Sequence, residues 1–136
     1  MKNKKKLFGK TMGLIAALVL CFSMTVLEAP SVTGDKELTV QKDKIVSASY
    51  KITNDDSIES VKLTLSYDKS DLTYMSGSGG DNFSGSGGNG LVELSSNPGS
   101  KAATFGVKFK GLTDGTSEVT VSSCTITVNG KEIDAL

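Results

Sequence analysis

Residues 32–136 predict an all-β domain, a β-sandwich of about seven to nine antiparallel strands with no helix. Three observations carry this. Apolar residues alternate with polar ones in stretch after stretch, no stretch after Pro30 repeats at the helical period, and turn-forming residues punctuate the chain at short intervals.

The best-specified strand is Val61-Lys62-Leu63-Thr64-Leu65-Ser66-Tyr67, in which odd-numbered residues are apolar and even-numbered ones polar. Wound into a helix, this pattern would scatter its apolar residues around the axis; as a strand it places them all on one face. Before it, Leu38 and Val40 suggest a short strand, and Val46, Ala48, Tyr50 and Ile52 alternate into another that meets the polar turn Asn54-Asp55-Asp56-Ser57. Two alternating strands joined by a short polar turn are expected to pair, Val46–Thr53 against Glu59–Tyr67. After Tyr67, Asp68-Lys69-Ser70-Asp71 reads as a corner that leads into Leu72 and Tyr74.

From Ser76 to Gly90, seven of fifteen residues are Gly, which predicts a mobile loop anchored only by Phe83. A G-x-G-x-x-G occurs at Gly85 to Gly90, but a dinucleotide site needs a helix after those glycines, and Leu91-Val92-Glu93-Leu94 is a short strand followed by the turn Asn97-Pro98-Gly99. Ala103, Phe105, Val107 and Phe109 form the next alternating strand. In the one after, Val119 and Val121 are odd-numbered while Cys124, Ile126 and Val128 are even-numbered, so a bulge or a crossing between sheets is expected near Ser122-Ser123. Asn129-Gly130 is a type I′ hairpin signal that returns Lys131-Glu132-Ile133 along Thr125–Val128.

The first 31 residues read as a signal peptide. Lys2, Lys4, Lys5, Lys6 and Lys10 precede the apolar run Leu14–Leu27, which is short for a membrane span. Cleavage is placed after Ala29 or slightly later; the alternative is an uncleaved anchor. Either predicts a secreted, extracellular or cell-surface domain, with no membrane insertion after cleavage.

Residues 32–136 hold ten lysines against fourteen acids, a net charge of −4, and the chain has no Arg and no His. That composition argues against nucleic acid and against a basic membrane-surface helix. It also removes the imidazole base and the commonest metal ligand, so neither catalytic residues nor a metal or cofactor is expected. Asp68 and Asp71 could in principle act as a carboxylate pair, but in this turn they read as turn-formers. Cys124 is the one cysteine beyond the signal peptide, so it has no internal disulfide partner and is expected to be buried beside Ile126 and Val128.

Ser57-Ile58-Glu59-Ser60-Val61-Lys62-Leu63-Thr64-Leu65-Ser66-Tyr67-Asp68-Lys69-Ser70-Asp71-Leu72 resembles the third-strand region of cohesin domains: a polar turn, an alternating strand, Tyr-Asp, polar residues and Leu. Ala103–Lys110 with Asp114–Val121 is similar to late cohesin strands, and Val128–Ile133 to the closing hairpin. The resemblance covers roughly residues 36 to 134. It implies a jelly-roll-like sandwich that does no chemistry and binds, on one sheet face, a dockerin, the small calcium-binding helical module carried by enzymes of polysaccharide degradation. The family's contact positions, typically Asn and Asp, correspond here to Ser60 and Lys62, and the lysine reverses the charge offered.

Two binding readings follow. In the first, the monomeric module meets a dockerin-type or other protein through Ser60, Lys62, Thr64 and Ser66. In the second, it binds polysaccharide directly, with Tyr74 and Phe83 as the candidate glycan contacts, although Trp is absent.

Overall fold

The computed structural model describes residues 30–136; the proposed signal peptide lies outside them, apart from Pro30 and Ser31. Ten strands follow one another: β1 Ser31–Gly34, β2 Glu37–Val40, β3 Ile45–Ile58, β4 Ser60–Tyr67, β5 Leu72–Ser78, β6 Ser84–Gly88, β7 Leu91–Ser96, β8 Ser100–Gly111, β9 Gly115–Val128 and β10 Lys131–Asp134. They form two antiparallel sheets. The smaller runs β1-β3-β8-β5; the larger runs β10-β9-β4-β7-β6, with β2 beside the start of β9. No helix occurs among the described residues.

Alternation does the sorting. Tyr50, Ile52, Phe105, Val107 and Phe109 from the smaller sheet meet Val61, Leu63, Leu65, Val92 and Ile126 from the larger, and all are essentially buried. Burial of these apolar faces against each other is the main stabilising term, at roughly 25 cal/mol per Å² removed from water. Where the period breaks, the backbone adjusts. Leu65 pairs with Val121 and Thr64 with Ser123, so Ser122 is the extra residue of a bulge, and it moves the inward phase from Val119 to Cys124, as the parity change predicts. Asn129 and Gly130 take positive φ of 51° and 77° and close the β9–β10 hairpin as read from the dipeptide.

Two expectations are corrected. First, β3 and β4 are not partners: β3 pairs with β1 and β8, while β4 pairs with β7 and β9. Asn54–Ser57 does not turn the chain back. It stays extended and bulges, because register passes from Thr53↔Ala102 to Ile58↔Ser100, and Ile58 is thereby brought into the core with no exposed surface. Only Glu59 separates the two strands, so the chain crosses from one sheet to the other there.

Second, the Gly-Ser tract is not a loop. It ends β5, turns at Gly79–Phe83, forms β6 against β7, and turns again at Asn89-Gly90, whose φ values of 54° and 87° repeat the type I′ geometry. Its glycines and serines alternate: Gly85 and Gly87 pair with the inward residues Leu94 and Val92, while Ser84 and Ser86 share the outer phase. A Cβ on Gly85 would come within 2.6 Å of the Phe83 ring, and one on Gly87 within 2.6 Å of the Tyr74 ring. The glycines take the inward phase of a strand that stays exposed as a whole but lies with its inner side against two aromatic rings.

Cys124 is fully buried as expected, and desolvation, with Asp134 nearby as the smaller cause, pushes its thiol up to about 11. The folded state therefore holds its proton where the unfolded chain has lost it, so stability is expected to fall as pH rises from about 9 to about 11, by at most about 1.4 kcal/mol per unit from this group. Burial raises the Tyr50 hydroxyl as well, which extends the decline to higher pH. Urea titrations at pH 7 and pH 10.5 check this; equal midpoints would contradict it. A thiol reagent at neutral pH is expected to label Cys124 only after unfolding.

Candidate functional site

Ser60, Lys62, Thr64 and Ser66 lie on the outer face of β4, in the interior of the larger sheet. Because directly paired antiparallel residues project to the same side, register alone identifies their neighbours. Ser60 lies beside Thr127; Lys62 sits between Thr125 and Ser95; Thr64 between Ser123 and Glu93; Ser66 between Thr120 and Leu91. The outer strands extend the rows, β6 placing Ser84 beside Ser95 and Ser86 beside Glu93, and β10 placing Glu132 beside Thr127 and Asp134 beside Thr125.

The four residues chosen from sequence are therefore brought together, and the face is wider than they indicated. A shallow groove of about 310 Å³ runs over β7, lined by Lys62, Thr64, Ser84, Ser86, Glu93 and Ser95. Lys62 is exposed at its margin. Among the charged side chains of this face, Lys62 is met by Glu93 on one diagonal and, across Thr125, by Asp134, so a central cation stands among carboxylates. Leu91 is half exposed at 49% and supplies the apolar element of the patch. The serines of β6 and β7 were missed because strand order, not periodicity, decides which strands flank β4.

Tyr74 and Phe83 do not join this face. Phe83 packs on Phe105 with ring centroids 6.2 Å apart, and Tyr74 lies over Gly87; both are partly buried at the β5–β6 edge of the sandwich. Asp68 and Asp71 hold the β4–β5 corner. Asp68 accepts from the backbone N–H and hydroxyl of Ser70, which holds its carboxyl below the usual range, and Asp71 accepts from the hydroxyls of Ser117 at 2.9 Å and Thr113 at 3.2 Å. Among the described residues, no group of three or more His, Cys, Asp or Glu side chains is placed to hold a metal ion.

No protein-family model matches the sequence, and no curated protein matches it. Solved structures do match in shape. The sixth cohesin of scaffoldin B from Acetivibrio cellulolyticus, solved in complex with a mutant Cel5 dockerin, superposes with a TM-score of 0.61 at 16% identity, over 79% of this chain and 92% of that one. A type I cohesin–dockerin complex from Clostridium thermocellum, Coh-OlpC with Doc435, gives 0.63 at 12% identity over 80% and 87%. The non-cellulosomal cohesin of the archaeon Archaeoglobus fulgidus gives 0.60 at 17% identity over 77% and 83%. At such identities the likeness is one of architecture, and it covers most of each chain: the protein has a cohesin-like fold.

Proposed function

We propose that the chain is a secreted, non-catalytic attachment module that binds a dockerin-type helical partner through the outer face of its larger sheet. The observation that carries this reading is the convergence of Ser60, Lys62, Thr64 and Ser66 with Ser84, Ser86, Glu93 and Ser95 on one broad sheet face. The fold's structural neighbours, two of them solved with dockerins, support the class of partner. Serine and threonine rows give many short, weakly desolvated hydrogen-bonding groups, suited to a wet, polar contact, and Leu91 provides an apolar anchor.

Lys62 sets the specificity. A partner that pairs with it must bring a carboxylate to the middle of the face, where desolvation strengthens the bond. Isothermal titration of residues 32–136 against a panel of calcium-loaded dockerins is expected to find a binder. Lys62→Asp should weaken that binder at least tenfold, and Leu91→Ala by a smaller factor. Absence of binding across the panel at micromolar concentration, or indifference to Lys62→Asp, would overturn the proposal.

A further inference from the structure

The two long edges of the sandwich differ. At one, Tyr74 and Phe83 fill the space between β5 and β6. At the other, between β1 of the smaller sheet and β9 of the larger, a groove of about 660 Å³ opens, its apolar lining made by Val32, Tyr50, Val119, Val121 and Leu136.

Backbone groups face this groove from both sides. Asp35 donates its N–H to Ser49 O at 3.2 Å, which puts Thr33 and Ser31 in phase toward β3 and turns the N–H and C=O of Val32 and Gly34 to the groove. On the opposite wall, Val119 donates to Lys36 O at 2.9 Å, and Ala135 donates to Cys124 O at 2.8 Å. Between those two bonds lies Val121, in phase with Val119, with its N–H and C=O directed away from β4 toward a side on which no strand of the described residues pairs with it. An isolated edge is common; two that line the same apolar trough form a slot with unpaired backbone groups on both walls.

The charge around the slot is one-sided. Glu37 and Glu118 are direct cross-strand partners, both exposed and both lining the groove, and like charges so placed destabilise the pair. Asp35 adds a third carboxylate, already accepting from the Ser49 N–H at 2.8 Å, and Lys36 is the cation among them.

We propose that this slot takes an extended segment of a partner protein as an added strand, bonded to Val32 and Gly34 on one side and to Val121 on the other. The segment carries apolar side chains at alternate positions for the trough and a basic residue beside Glu37 and Glu118. The four residues of β1 span roughly 13 Å at about 3.3 Å each, so four or five residues of the partner fill it. The slot lies on the sandwich edge rather than on the β4 face, so either binding reading can fail without the other.

The probe is the capped hexapeptide Lys-Val-Thr-Val-Thr-Val, added to residues 30–136 and followed by amide hydrogen exchange and fluorescence titration. Amides of Val32, Gly34 and Val121 are expected to exchange at least tenfold more slowly with peptide bound. Affinity is expected to drop at least tenfold when the central valine of the peptide becomes proline, which lacks the N–H, and likewise in the Glu37→Lys/Glu118→Lys variant, whose substitutions are at exposed positions. No slowing at these amides, or affinity indifferent to both changes, overturns the proposal. So does slowing without peptide that grows with protein concentration, which would make a second copy the occupant.

Discussion

Phe109→Ala is expected to remove a large part of the domain's stability. The ring has no exposed surface, lies 5.1 Å from the Tyr67 ring, and belongs to β8, which pairs with β3 on one side and β5 on the other. Truncating a buried Phe costs about 3–5 kcal/mol, the lost transfer energy plus a cavity that tightly paired neighbours cannot close. A domain of this size has only about 5–15 kcal/mol in total. In urea, with a slope of about 1–3 kcal/mol per molar, the midpoint should fall by roughly 2 M. Ile45→Ala, at a position 53% exposed on a neighbouring strand, is the control and should move it little. A Phe109→Ala midpoint within error of the parent would refute the burial of Phe109 between the two sheets.

The second large effect is expected where the sequence looks least structured. Gly87→Val should destabilise the domain by about 1–3 kcal/mol, the usual range for forcing atoms into filled space. The new side chain would begin 2.6 Å from Cγ of Tyr74, near the root of the ring, where a rotation cannot relieve the contact. Tyr74→Ala, itself destabilising, removes the obstruction, so the double variant should be less unstable than the sum of the two. A cycle of four urea curves measures that coupling; strict additivity would mean that Tyr74 and Gly87 do not touch. The equivalent change at Gly80, where an added Cβ meets nothing within 4 Å, should be nearly neutral.

How much of this was legible follows from what each signal encodes. Alternation reports which side of a strand is buried, so Val61 to Tyr67, Phe105 to Phe109 and the phase break at Ser122 were readable from residue types alone. It is silent on which strand lies next door. Hence Val46–Thr53 was matched with the neighbouring strand in sequence, whereas the core's demand for Ile58 carries β3 past Asn54–Ser57 still along β8, and the chain crosses to the other sheet only at Glu59. Composition misled in the Gly-Ser tract because glycine is read as freedom; here Gly85 and Gly87 are the inward half of a period-two pattern, and the signal lay in the Ser-Gly alternation and in Asn89-Gly90. For the binding face, Ser60, Lys62, Thr64 and Ser66 could be found by phase, but Glu93 and Ser95 enter only through register.

The order of strands in space also governs when the protein can fold. β4 is flanked by β9, pairing Val61 with Ile126, and β3 by β8, pairing Val46 with Phe109, so neither sheet can be completed until the last third of the chain is present. Contacts between such distant residues make folding slow, in the range of milliseconds to seconds. A ribosome-bound chain lacking β8 and β9 holds the strands of the β1–β3 and β4–β7 pairs but neither of the inner strands that complete the two sheets, so the core cannot close. For the secreted module proposed above, such a delay would keep the chain in the unfolded form that can be threaded through a membrane, with the core closing once the C-terminal strands have arrived on the far side.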